Sequence, residues 1–89
     1  MKKNDVVTVI CGVGEFIGKF VENTEAGLEI EDPRMLVQGE KGMGFAKGIA
    51  ITGIQDPPSV IFKNYVFVTP TNDDVMKGYR QATSGIVLA

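Results

Sequence analysis

Apolar and polar positions alternate along the first third of the chain in a way typical of β-strands. Residues 6–10 form a β-branched run that favours a strand, and residues 15–22 resume the extended pattern after the glycine-rich tripeptide 12–14. Glycine tolerates the positive φ angles of tight turns, so these two runs predict a β-hairpin. Leu28 and Ile30 then alternate with glutamates, which predicts a third strand with one apolar and one solvated face.

Two interruptions predict that this sheet is strongly bent. Gly18 lies inside the second run, where glycine indicates a bend or a bulge. Asp32 and Pro33 break the third strand because proline cannot donate to the ladder, and residues 35–37 continue the extended path beyond the kink.

The middle of the chain is less regular. Residues 38–48 are rich in glycine and lysine and predict a loop or an irregular hairpin. Residues 49–52 are a further candidate for a short strand, and a turn with two prolines follows at residues 55–58.

Two short runs that are apolar on nearly every residue follow this turn. Residues 60–62 and 65–69 predict two short strands that meet at a tight corner formed by Lys63 and Asn64. Such strands would leave an adhesive sheet edge exposed in a monomer, and association of several copies would bury it.

A C-terminal helix is predicted over about residues 71–84. Thr71 or Asn72 provides the N-cap, and two aspartates follow at the positive end of the helix dipole. One apolar stripe at helical spacing consists of Val75, Met76, Tyr79 and Ala82. Gly85 is expected to end the helix.

The composition narrows the possible stabilising elements. A chain of 89 residues with one cysteine, Cys11, and no histidine cannot form an internal disulfide or a metal site of nitrogen and sulfur ligands. We therefore expect no cofactor, and association with copies of the same chain becomes the favoured source of stability. No signal peptide and no membrane span is apparent, so a cytoplasmic location is expected.

The sequence contains no recognisable catalytic machinery. A serine nucleophile requires a base, and histidine is absent. Glycines over residues 12–18 differ in spacing from a dinucleotide-binding fingerprint and lead into a strand rather than a helix. Glu29 and Glu31 are explained by a solvated strand face. We expect that the protein is not an enzyme.

A net charge of −2 argues against a strongly basic nucleic-acid surface. Three lysines are nevertheless interleaved with aromatic residues: Lys41, Lys47 and Lys63 with Phe45, Phe62 and Tyr65. This combination either stacks a base and holds a phosphate, or consists of lysines whose stems cover core aromatics.

The order of these elements resembles that of the Sm-like (LSm) proteins. The residues that carry the first motif are Val7, Val9, Gly14, Ile17, Gly18, Phe20, Leu28, Ile30 and Asp32, and residues 60–68 resemble the second motif. The resemblance implies a small, five-stranded, strongly bent open barrel over about residues 5–69, of Sm-like or SH3-like type.

The same resemblance implies a homo-oligomeric ring in which the fourth strand of one subunit pairs with the fifth strand of the next. The expected interface residues are Val60, Ile61, Tyr65, Val66, Phe67 and Val68. Asp32-Pro33 and the segment 70–79 are also similar to small uncharacterised Sm-like proteins of marine tailed phages.

An RNA site is implied by the corner Phe62-Lys63-Asn64, which is similar to the Tyr-Lys-His corner that lines a uridine-binding pore in the bacterial host-factor branch. Phe62 would stack on a base, Lys63 would contact a phosphate or polar group, and Asn64 stands where that branch has histidine. Lys41 and Lys47 would add phosphate contacts. The turn at residues 23–27 lacks the Asp-x-apolar-Asn signature of the family.

Two functions follow from these features. The first is a ring that binds single-stranded, uridine-rich RNA through the repeated corner. The second is a structural or adaptor oligomer, with a phage as one candidate source, that uses the same assembly without nucleic acid. The acidic balance favours the second, and the Phe62-Lys63-Asn64 corner favours the first.

Overall fold

Six strands and one helix follow one another in a computed structural model that describes residues 1–46 and 49–83. The elements are β1 (Val6–Cys11), β2 (Gly14–Thr24), β3 (Gly27–Gly39), β4 (Gly42–Ala46), β5 (Ser59–Phe62), β6 (Phe67–Pro70) and α1 (Asp73–Thr83). The prediction of a mostly β fold with a C-terminal helix is confirmed.

All strands belong to one antiparallel sheet in the order β4-β3-β2-β1-β6, with β5 also paired to β3. The long strand β3 pairs with β5 over residues 28–31 and with β4 over residues 35–39. The predicted number of five strands is wrong, because β4 adds a sixth. The pairing does not close the sheet into a barrel, since β5 and β6 do not pair with each other.

The predicted bend lies where Gly18 faces the kink in β3. The pairing of β2 with β3 shifts register between Ile17 and Lys19, opposite Asp32 and Pro33. Asp32 has a left-handed φ of 49°. A β-carbon on Gly18 would clash with the Ile30 side chain and lie 3.0 Å from the Glu31 carbonyl oxygen. Glycine is therefore required for β2 to cross the kink closely.

Two apolar clusters occupy the two faces of the bent sheet. Alternation along β1 directs Val7 and Val9 to one face and Val6 to the other. The first cluster consists of Val7, Val9, Phe16, Leu28 and Ile30, and Phe62, Tyr65 and Val68 pack against it. The second cluster consists of Val6, Ile17 and Tyr79. It is the contact between the sheet and α1.

The N-cap of α1 is one of the two residues that the sequence predicts. The Asn72 side-chain oxygen accepts a hydrogen bond of 2.9 Å from the Val75 N–H, so Asn72 is the N-cap. Tyr79 is fully buried, and Val75 and Met76 are half-buried against the second cluster. Ala82 is exposed, so it does not extend the predicted stripe. The predicted stop at Gly85 lies outside the described residues.

The segment 49–52 forms bends and turns instead of the candidate strand. Both parts of this edge of β3 are already paired, one with β4 and one with β5, so β3 offers this segment no free edge. Ile49, Ala50 and Ile51 instead line an open apolar cleft of about 420 Å³ together with Val13, Phe16 and Met35. The predicted irregular hairpin contains the regular strand β4.

Candidate interaction surface at the corner between β5 and β6

The corner between β5 and β6 separates two strands that have different neighbours. β5 pairs only with β3 and β6 pairs only with β1 within the described part of the chain. Each strand therefore has one edge whose backbone groups have no described strand beside them. An unpaired edge of this kind is a template for another strand.

Backbone hydrogen bonds identify the residues that these edges present. The Thr71 N–H donates to the Val6 carbonyl oxygen at 3.2 Å, in register with the ladder between β6 and β1. Because hydrogen-bonded pairs alternate in an antiparallel ladder, the N–H and C=O of Val68 point away from β1. The same argument from the Asp32 N–H, which donates to the Pro58 oxygen at 3.0 Å, directs the peptide groups of Ile61 away from β3.

Three of the six expected interface residues carry exposed apolar side chains beside these edges. Ile61 is 53% exposed, Val66 71% and Phe67 49%. The other three, Val60, Tyr65 and Val68, are half-buried, and the last two pack against the first cluster. The edges thus combine free backbone groups with exposed apolar side chains, the combination that aggregation-resistant monomers avoid.

The aromatic ring of Phe62, in the corner, packs largely against the first cluster. The Phe62 ring is half-buried and its centroid lies 5.2 Å from that of Phe16, at a tilt of 57°. A base can reach only the part of this ring that the first cluster leaves accessible. Lys63 and Asn64 are both exposed at the tip of the corner.

The corner is held against the turn between β2 and β3. The Asn23 side-chain amide donates a hydrogen bond of 2.9 Å to the Tyr65 hydroxyl. A β-carbon on Gly27 would lie 2.8 Å from the Phe62 carbonyl oxygen, so the turn packs closely on the corner. Asn23 was not predicted as part of the site. Asn23 and Tyr65 are 42 positions apart, so no local pattern in the sequence indicates this contact.

The other two lysines predicted for RNA do not join this group. Lys41 is exposed in the turn between β3 and β4, which lies at the end of β3 opposite the turn that contacts the corner. Lys47 lies outside the described residues.

Acidic residues flank the corner on the outer face of the sheet. Ile61 is directly opposite Glu29, and Glu29 is opposite Glu22 on β2. Side chains directly opposite one another share a face of the sheet, so the two carboxylates lie beside Ile61. This face is unfavourable for phosphate, and Lys63 and Asn64 at the tip are the residues of the corner that remain suited to contact nucleic acid.

No protein-family model matches the chain, and no curated protein or solved structure is significantly similar to it. The likeness to Sm-like proteins therefore stays a prediction from the motif residues. Within residues 1–46 and 49–83, no helix is long and apolar enough to cross a membrane. In the same ranges, no three or more histidine, cysteine or acidic side chains are grouped so that they could hold a metal ion.

Proposed function

We propose that this chain is a non-enzymatic subunit of a homo-oligomer in which β5 of one copy pairs with β6 of the next. The observation that carries the proposal is the pair of unpaired edges beside the exposed side chains of Ile61, Val66 and Phe67. Pairing would satisfy the free backbone groups and remove these side chains from water, and both effects favour association.

The hydrogen-bonding pattern is compatible with a register that joins Ile61 to Val68. Ile61 and Val68 both present an N–H and a C=O to the free edge, so an antiparallel pair can exchange two hydrogen bonds between them. Pro70 has no N–H to donate, which ends the pairing at that side of β6. The third free edge, on β4, carries Gly42 and Gly44 and has less side-chain surface to bury.

This contact is heterologous, because one edge of a subunit meets a different edge of its neighbour. Heterologous contacts repeat until the assembly closes into a ring or continues as a filament. A strongly bent sheet turns each subunit relative to the last, and we therefore favour an Sm-like ring. In either an Sm-like or an SH3-like fold, strands of neighbouring subunits would pair with the free edges of the curved sheet.

A second function, binding of single-stranded RNA, is supported by the exposure of Lys63 and Asn64 at the tip of every corner. A ring would repeat this cationic tip once per subunit, and multivalency would strengthen a weak individual contact. Phe62 would contribute the accessible part of its ring, and Asn23 would orient the corner through Tyr65. We rank this function second because of the glutamates beside Ile61.

Light scattering of the purified chain, with and without a short oligouridine in moderate salt, tests both functions. A closed oligomer that is unaffected by oligouridine supports the structural or adaptor function. An oligomer that also binds oligouridine supports the RNA function. A monomer over the whole accessible concentration range overturns the proposed assembly.

A further inference from the structure

A second polar surface lies where three elements meet: the N-terminal turn over residues 2–5, the strand β2 and the last turn of α1. It is an open groove of about 480 Å³, lined by Asn4, Lys19, Arg80 and Thr83. We infer that this groove binds a phosphate ester that also carries a hydroxyl group, as a ribonucleotide does. None of its lining residues belongs to the corner between β5 and β6, so the inference does not depend on the proposed assembly.

The charge of the groove favours an anion. Lys19 forms an ion pair with Asp32, whose carboxylate oxygen lies 3.3 Å from the lysine Nζ, so the uncompensated positive charge of the groove comes from Arg80. Arg80 makes no ion pair with any residue that the structure describes. Its planar guanidinium is therefore available to bind two phosphate oxygens at once, a geometry that lysine does not provide.

Further charged residues lie next to the lining residues along the chain. Lys2, Lys3 and Asp5 belong to the same turn as Asn4, whose N–H donates to the Phe20 carbonyl oxygen at 2.8 Å and fixes the turn on β2. Lys77 lies one turn before Arg80 on the same side of α1. The cationic side chains of Lys2, Lys3 and Lys77 outnumber the neighbouring carboxylate of Asp5, and this balance favours the approach of an anion.

The hydrogen-bonding groups of the groove indicate what the anion carries. The Thr83 hydroxyl donates to the Tyr79 carbonyl oxygen at 2.9 Å, so its own oxygen remains an acceptor. Phosphate at neutral pH is chiefly an acceptor, whereas a sugar hydroxyl can donate to Thr83. The Asn4 side-chain amide has no hydrogen-bond partner among the described residues and can serve either group.

Asn4 also has a left-handed backbone, with φ of 77°. Asparagine tolerates this conformation better than most residues, yet it is uncommon in non-glycine residues. Among the described residues of the N-terminal turn, Asn4 is the one that lines the groove, and unusual backbone conformations of this kind are frequent at ligand sites.

The test is a titration of the full chain with inorganic phosphate, uridine 5′-monophosphate and a 5′-phosphorylated oligouridine, followed by backbone amide NMR shifts. We expect saturable shifts at Asn4, Lys19 and Thr83, with the monophosphate ester bound more tightly than inorganic phosphate. Tighter binding of the mononucleotide identifies a free nucleotide as ligand, and tighter binding of the oligouridine identifies an RNA end.

Arg80→Gln and Lys77→Gln form a matched pair, because each removes one positive charge from an exposed position of α1 and only Arg80 lines the groove. Arg80→Gln should weaken binding about tenfold, and Lys77→Gln should weaken it less than about twofold. Equal losses in the two variants would overturn the groove in favour of diffuse attraction, and so would the absence of saturable shifts in the unmodified chain.

Thr83→Val tests the hydroxyl separately. It should remove the advantage of uridine monophosphate over inorganic phosphate while the affinity for inorganic phosphate is retained. If the advantage persists in this variant, the acceptor role of Thr83 is wrong.

Discussion

The Tyr79 hydroxyl donates a 2.6 Å hydrogen bond to the carbonyl oxygen of Asp32. Asp32 has a left-handed backbone at the kink of β3, and Tyr79 is the fully buried residue of α1. The bond therefore joins the C-terminal helix to the point at which the sheet bends. We expect the helix and the bent part of the sheet to unfold together.

Tyr79→Phe tests this connection. The variant keeps the ring in the second cluster and leaves the Asp32 carbonyl oxygen without its shortest partner, so we expect a loss of about 1–2 kcal/mol in the free energy of unfolding. Urea denaturation measures the change. Tyr65→Phe is the control, because its bond with Asn23 is exposed and its loss should cost less than about 0.5 kcal/mol. Equal losses in the two variants would contradict the special role of Tyr79.

The same residue predicts a dependence of stability on alkaline pH. Burial, and secondarily the negative charge of Asp32, raises the pKa of Tyr79 from 10.0 to about 12. The pKa of Tyr79 is higher in the folded chain than in the unfolded chain. The contribution of the protonated Tyr79 hydroxyl to the free energy of unfolding is therefore complete below pH 10 and is lost as the pH rises towards 12.

Urea denaturation at several pH values between 9 and 12 checks this expectation, with Tyr79→Phe as the reference that lacks the Tyr79 hydroxyl. The difference in unfolding free energy between the two proteins should shrink across the window. A constant difference would show that Tyr79 ionises alike in both states.

The close crossing of β2 over the kink predicts a strong effect of Gly18→Ala. The added methyl group would meet the Ile30 side chain and lie 3.3 Å from the Cα of Pro33, so the strands must separate. We expect a loss of about 2–3 kcal/mol by thermal or urea unfolding. Gly12→Ala is the matched control, since nothing lies within 4 Å of its β-carbon. Similar stabilities of the two variants would contradict the close crossing.

Local patterns were sufficient where a residue's own neighbours determine its structure. The alternation of Leu28 and Ile30, the bend at Gly18 and the cap at Asn72 follow from side-chain periodicity and backbone preference. The strand β4 and the failure of residues 49–52 to form one were not predictable in this way. Residues 42–46 are a strand because they pair with the edge of β3. Pairing between segments distant in the chain is not visible in the local pattern of residues.

The corner between β5 and β6 also has features that the local sequence predicts and features that it does not. Exposure of Lys63 and Asn64 agrees with a polar dipeptide between apolar runs. The contact between Asn23 and Tyr65 depends on how the bent sheet brings the β2–β3 turn to the corner. Such a contact arises from the tertiary fold and has no counterpart in the spacing of residues along the chain.

Val66→Asp tests the proposed pairing of β5 with β6. Burial of a carboxylate in the apolar contact is costly, so we expect the dissociation constant of the oligomer to rise about a hundredfold or more. Light scattering measures the mass. Val13→Asp is the matched control, because Val13 is 77% exposed and Val66 71%, and Val13 belongs to the turn between β1 and β2 and not to β5, β6 or the corner between them. An oligomer lost in Val13→Asp but kept in Val66→Asp would place the contact at the apolar cleft instead.

Lys63→Ala tests whether the corner binds RNA. If the Lys63 ammonium contacts a phosphate in every subunit, its removal should lower the affinity for oligouridine about tenfold or more and reduce the slope of affinity against salt concentration. Fluorescence anisotropy at several salt concentrations measures both quantities. Lys41→Ala removes the same charge at the far end of β3, and its effect should be smaller. If both variants bind oligouridine as the unmodified chain does, the corner has no part in RNA binding and the structural or adaptor function is favoured.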